Sequence, residues 1–148
     1  MKLYAGEFDI TLDARRRMVI PRQVARMLGE FDRTLVVLRG RDGRPWLYTA
    51  GQFGTMMLAN LARRDTLPVM RTHHLDWSRR HRRFTMPAKL IQEFHLDRRL
   101  TLVGVRDHLE LWNREEWERY SERLMTRARE IAERAARPPS PPKSSERS

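Results

Sequence analysis

The chain has 148 residues, enough for one compact domain or for two small halves that share a core. It contains no cysteine, which excludes disulfides, thiolate metal sites and a cysteine nucleophile, and its formal charge of +11 attracts polyanions. No apolar run approaches the roughly 18 residues that span a bilayer, and Glu7 interrupts the N-terminus before a signal-peptide core develops, so a soluble cytoplasmic protein is expected.

Taken in chain order, the first predicted element is a half-buried strand, in which Phe8, Ile10 and Leu12 alternate with Glu7, Asp9, Thr11 and Asp13. The polar Asp13-Ala14-Arg15-Arg16 turns the chain, and Arg17-Met18-Val19-Ile20 returns as a second strand. Pro21 suits the start of a helix, where its missing N–H costs nothing, and Val24, Met27 and Leu28 give that short helix an apolar face. A second hairpin runs from Leu35–Leu38 through Asp42-Gly43 to Trp46–Tyr48, and Pro45 argues that the returning strand lies at an edge. Phe53, Met57 and Leu61 mark a helix at i, i+4 and i+8, and the surroundings of Pro68 form a connection.

Beyond that connection the same order returns. Arg17-Met18-Val19-Ile20-Pro21 is answered by Arg83-Phe84-Thr85-Met86-Pro87, and Leu35-Val36-Val37-Leu38 with Arg41-Asp42 by Leu100-Thr101-Leu102-Val103 with Arg106-Asp107. Trp46-Leu47-Tyr48 is answered by Glu110-Leu111-Trp112, and Phe53 by Trp117, the offset drifting from 66 to 64 residues as loop deletions would produce. Asn113 and Glu116 then resemble a capping box, followed by a long helix with Trp117, Tyr120, Leu124, Ala128, Ile131 and Ala135 on one face. From 114 to 137 that helix carries seven arginines against six glutamates, a balance that suits a solvated face or a neighbouring protomer better than a polyanion. The Pro- and Ser-rich Pro138-Pro139-Ser140-Pro141-Pro142 is expected to be disordered.

The positive charge is almost wholly arginine, since lysine occurs only as Lys2, Lys89 and Lys143. A GC-rich genome would explain the preference for arginine but not the excess of cations over acids. The excess concentrates at the hairpin turns: Arg15-Arg16-Arg17 with Arg22 nearby, and Arg71, Arg79, Arg80, Arg82 and Arg83 with Asp76 as the one acid between 71 and 83. A two-stranded ribbon fits the major groove, where guanidinium groups clamp phosphates or pair bidentately with guanine. Solubility of an edge hairpin requires far less like charge in one place. Asp13 and Arg17, four residues apart across the turn, can pair and so fix the direction of Arg17.

Gly6-Glu7-Phe8, Leu12-Asp13 followed by Arg17 through Pro21, and Leu102-Val103-Gly104 to Glu110-Leu111-Trp112-Asn113 and Trp117 resemble the MraZ family of bacterial transcription regulators. The resemblance covers roughly residues 1 to 125. It implies an α+β, mainly β fold of two tandem SpoVT-AbrB-like swapped-hairpin domains forming a pseudo-dimer, with a long C-terminal helix. The expected division is 1–66, 67–125 and a helix extension with tail at 126–148. The resemblance further implies ring-like homo-oligomers, association with the nucleoid, and binding to repeated promoter sites that control division and cell-wall genes. The family's Asp-x-x-x-Arg motif falls on Asp13 and Arg17, with the arginine a DNA contact. The candidate DNA-binding residues are therefore Arg17, Asp13, Arg15, Arg16, Arg83, Arg79 and Arg80.

Two departures stand out. Arg16 replaces the family's glycine, which would open the turn or change its type. In the second half, the register that matches Pro21 with Pro87 sets Arg79 opposite Asp13, Asp76 and Arg80 have the right spacing three residues early, and Leu75 and Trp77 alternate out of phase with the first strand.

Other readings carry less. His73-His74 near Asp76 as a metal site, and Asp107-His108 with Glu110 as a catalytic cluster, lack a recognised ligand spacing. No enzyme, cofactor or metal is therefore expected. The hairpins lack the exposed aromatics on which single-stranded bases stack, which argues against RNA. Tandem duplication argues against an AbrB-type antitoxin.

Overall fold

The computed structural model describes residues 3–29, 33–62 and 71–139. The connection around Pro68, the boundary at 66/67 and the tail from Ser140 lie outside the described residues. The described chain runs β1 (Glu7–Thr11), β2 (Arg17–Val19), α1 (Arg22–Leu28), β3 (Thr34–Arg39), β4 (Pro45–Thr49), α2 (Ala50–Ala62), β5 (Thr72–Ser78), β6 (Arg83–Thr85), α3 (Ala88–Glu93), β7 (Arg99–Val105), β8 (His108–Asn113) and α4 (Arg114–Ala136). It divides into two compact units, Met1–Arg114 and Glu115–Ser148.

The first unit is an eight-stranded antiparallel sheet in the order β1-β7-β8-β4-β3-β5-β6-β2. The Leu12–Met18 bridge joins its two ends and nearly closes a barrel. The two halves of the sequence are interleaved: β1 pairs with β7 from Glu7–Val103 to Thr11–Arg99, and β5 pairs with β3 from Thr34–Asp76 to Leu38–Thr72. Strands β2 and β6 lie side by side, with Met18 opposite Phe84. A half of this size buries little of its apolar surface alone, and exchanging strands lets each half complete the other's core.

The core follows from the repeat. Buried residues occur as matched pairs: Ile10 with Leu75, Leu12 with Trp77, Met18 with Phe84, Ile20 with Met86, Val24 with Leu90, and Leu47 with Leu111. The continuous run Leu35–Leu38 is buried on both faces. Leu35 and Val37 point into this core, while Val36 and Leu38 join Tyr48 beneath Phe53 and Met56 of α2. Gly104 is required where β7 meets the N-terminus, because a Cβ there would stand 2.6 Å from the Ala5 nitrogen.

Two expectations are corrected here. Pro45 is not on an edge strand, since β4 lies between β8 and β3; as the first residue of β4 it precedes the Trp46–Glu110 and Leu47–Leu109 pairs, so its missing N–H breaks no ladder with β8. Asn113 does precede α4, but its side chain serves the loop before β7, with Oδ1 accepting from Asp97 N at 2.7 Å and Nδ2 donating to His95 O at 2.9 Å.

The described part of the second unit is α4 beyond Arg114, followed by Arg137 and two prolines. Tyr120, Leu124 and Ile131 on its apolar stripe are 37%, 47% and 57% exposed. No described helix is long and apolar enough to cross a membrane.

Candidate nucleic-acid interface

The first hairpin turn is organised by one carboxylate. Asp13 Oδ1 accepts from the Arg15 amide at 2.8 Å and from the Arg17 amide at 2.9 Å, while Oδ2 accepts from Arg17 Nε at 2.8 Å. The backbone closes beneath it, Asp13 N donating to Arg17 O at 3.0 Å and Arg16 N to Asp13 O at 2.9 Å. The Arg17 amide, then the Arg17 guanidinium and the Arg15 amide, outweigh desolvation and hold the Asp13 carboxyl below its ordinary value of 3.8. The turn does not open at Arg16. That residue takes φ 62, the left-handed conformation that glycine would adopt freely, so the three-residue turn is retained at some conformational cost. Arg15 and Arg16 are exposed at the tip, and Arg17 is partly buried.

The second turn has the same plan with one residue more. Arg82, at φ 50, holds the left-handed place of Arg16, and Arg83 that of Arg17. Strand pairing sets Ser78 against Arg83 and Trp77 against Phe84, whereas the first hairpin sets Asp13 against Arg17 and Leu12 against Met18. The residue in the place of Asp13 is therefore Ser78, not Arg79. Arg79 belongs to a four-residue turn with Arg80, His81 and Arg82. That insertion also accounts for the phase of β5: counted back from the turn, Trp77 and Leu75 face inward as Leu12 and Ile10 do. Ser78 Oγ accepts from the His81 amide at 3.3 Å, a shorter-reaching and uncharged substitute for the carboxylate. Asp76 accepts from Thr34 Oγ1 at 3.2 Å across β3, away from the tip that carries Arg80.

The two hairpins are fixed to each other. The Arg16 carbonyl accepts from the Met86 amide, and the Arg82 carbonyl accepts from the Ile20 amide, one bond on each side of the β2–β6 pair. Because Met18 and Phe84 face the core, Arg17, Val19, Arg83 and Thr85 face outward, with Arg17 opposite Thr85 and Val19 opposite Arg83. Residues 13–28 and 78–86 carry nine arginines against one acid, Asp13, and that acid is already engaged by Arg17. The expected contacts Arg15, Arg16, Arg17, Arg79, Arg80 and Arg83 are thus brought onto two adjoining turns and the ribbon between them. Arg26 was not singled out by the sequence; its i, i+4 spacing from Arg22 on a short helix was the signal that it shares the face of Arg22.

The remaining clusters are built differently. His73 and His74 are adjacent on β5 and point to opposite faces, so they cannot share a ligand, and among the described residues no group of three or more potential ligands could hold a metal ion. Asp107, His108 and Glu110 do meet: His108 Nδ1 is 3.0 Å from Asp107 Oδ1 and Nε2 is 3.2 Å from Glu110 Oε2. The ring is buried and stacks on Trp46 with centroids 4.1 Å apart. Burial disfavours its charged form, but the hydrogen bonds to Glu110 and Asp107 outweigh it and raise His108 above the ordinary 6.5.

Residues 72–137 match the family model described as "MraZ protein, putative antitoxin-like". Proteins named Transcriptional regulator MraZ match along most of their length. That of Lactiplantibacillus plantarum is 29% identical over 143 residues, 88% of this chain and 96% of its own. Those of Clostridium botulinum and Thermoanaerobacter pseudethanolicus are 27% and 26% identical, covering 81% and 86% of this chain and 88% and 93% of theirs. Over most of its length the chain is similar to proteins of the MraZ family. The family model falls on the second half, while the MraZ relatives extend the similarity across both.

Proposed function

We propose that this protein is a sequence-specific DNA-binding transcriptional regulator of the MraZ type that grips a promoter with the two arginine-rich turns, controls division and cell-wall genes, and works in the cytoplasm at the nucleoid. The observation that carries the reading is the concentration of nine arginines and a single, already paired acid on helix α1 and two hairpins fused through β2 and β6. A basic ribbon of this kind supplies phosphate neutralisation and, through arginines held in fixed directions, base contacts. The names of the relatives support regulation of transcription. We read Arg17 as the base-reading residue, positioned by Asp13, and Arg15, Arg16, Arg79, Arg80 and Arg83 as phosphate contacts. No catalytic role is assigned to the Asp107–His108–Glu110 cluster.

The matched core pairs support a division into tandem domains at 1–66 and 67–125, with 126–148 as an extension. The exposed apolar stripe of α4 supports assembly with further copies, in which several Arg17 side chains would read a repeated operator.

Selection of bound fragments from genomic DNA tests the reading. Enrichment of short repeats upstream of division and cell-wall genes is expected; binding without any enrichment would remove the specific assignment and leave a general nucleoid protein.

A further inference from the structure

Helix α1 belongs to the first half of the sequence, yet it stands beside the turn of the second hairpin. There Arg22, Ala25 and Arg26 from α1 and Arg79 and Arg82 from the turn line one open pocket of about 210 Å³. Arg82 is held from two sides: its Nη1 donates to the Ile20 carbonyl at 3.4 Å, and its own carbonyl accepts from the Ile20 amide. Among the described residues no carboxylate lines the pocket. Arg22 and Arg26 are one helical turn apart, a spacing at which like charges repel.

The same corner is built elsewhere in the molecule with fewer cations. The internal repeat supplies a comparison within the same molecule, because Pro87 and Leu90 of the second half occupy the places of Pro21 and Val24. The residues that match Arg22 and Arg26 are therefore Ala88 and Gln92, and the residue that matches Arg82 is Arg16. Arg79 belongs to the longer second turn. One copy of the same corner thus gathers four guanidinium groups while the other has one. A tetrahedral oxyanion accepts guanidinium forks from several sides, and a pocket of this volume has room for one such group but not for a base pair.

We propose that Arg22, Arg26, Arg79 and Arg82 form a phosphate-binding subsite that takes one backbone phosphate of duplex DNA. The proposal rests on the DNA-binding reading above and deepens it: the second hairpin, which lacks the carboxylate that would aim Arg83, serves to anchor the backbone. DNA is favoured over a free phosphate as the source because the pocket is open and adjoins Arg80 and Arg83 on the same hairpin. A backbone contact of this kind fixes register and carries no sequence information.

The test compares the full chain with Arg22→Gln/Arg26→Gln and, separately, Arg79→Gln, each checked for native circular dichroism. Binding to a selected duplex and to a random duplex is measured across salt concentrations, and inorganic phosphate is titrated while the arginine Nε resonances are followed. Each variant is expected to weaken both duplexes by the same factor and to make the slope of log affinity against log salt shallower by about 0.9, the loss of one phosphate contact. An unchanged slope in both variants, with normal binding by the parent protein, overturns the subsite. Saturation by inorganic phosphate at low millimolar concentration without a change of slope overturns DNA as the source. Absence of DNA binding by the parent protein overturns the functional reading itself, and the subsite falls with it.

Discussion

Asp13 accepts from Arg17 Nε at 2.8 Å, whereas Ser78, which holds the corresponding place beside Arg83, offers a hydroxyl and no charge. The same hairpin is thus built twice with different control over its arginine. A guanidinium held through Nε keeps its two Nη groups in a fixed direction, as reading of guanine demands. One without such a tether adjusts to a nearby phosphate.

The acid limit of the first turn follows from the carboxylate. The folded Asp13 value is depressed, so the contribution of the pair is present above the unfolded value of 3.8 and is lost as pH falls through the folded value. A pH titration followed at the Arg17 amide and Nε resonances is expected to show one shared transition, displaced below 3.8. Separate transitions for the two nitrogens would show that Asp13 does not hold both.

Arg16 carries a left-handed strain that the turn does not need chemically. Arg16→Gly is expected to raise unfolding stability by about 1 kcal/mol, the left-handed cost less the chain entropy of glycine. It should at the same time lower affinity for all duplexes by removing one exposed cation. A variant less stable than the parent in urea denaturation would show that Arg16 makes native contacts beyond its backbone shape.

Much of this was legible in the sequence, and the failures have physical causes. The order of elements, the duplication and the core periodicity follow from apolar spacing, which reports burial directly. The phase of β5 misled because a one-residue turn insertion leaves strand and proline registers in conflict, and only the pairing of Ser78 with Arg83 resolves it. Pro45 was misjudged because proline excludes one ladder bond, not a whole strand position. The pocket of Arg22, Arg26, Arg79 and Arg82 unites residues more than 50 positions apart, which no local pattern reveals.

His108 provides a pH dependence of opposite sign. In the first half the corresponding cation is Arg44, bonded to Asp42 at 3.0 Å and seated 3.5 Å over the Trp112 ring; His108 likewise bonds Asp107 and stacks on Trp46. Its folded value is raised, so its contribution is complete below the unfolded value near 6.5 and is lost as pH rises through the folded value. Urea denaturation of the parent is expected to lose stability across that window relative to His108→Gln. Parallel pH profiles would show that folding leaves the proton affinity of His108 unchanged.

The stripe on α4 makes assembly testable apart from DNA. Leu124→Glu or Ile131→Glu places a charge among side chains that are about half exposed. Either is expected to lower the mass measured by light scattering while leaving the circular dichroism of the barrel strands intact. An unchanged mass would assign assembly to another surface.

The central claim is that the first hairpin reads sequence and the second grips the backbone, and the most direct measurement is discrimination. Affinities of the parent, Arg17→Ala and Arg83→Ala are compared on a selected and a random duplex at one salt concentration. Arg17→Ala is expected to cut the ratio of the two affinities about five-fold or more, in the range of about 1–3 kcal/mol for a base contact. Arg83→Ala is expected to weaken both duplexes together and leave the ratio unchanged. Equal loss of discrimination from the two substitutions would contradict the account.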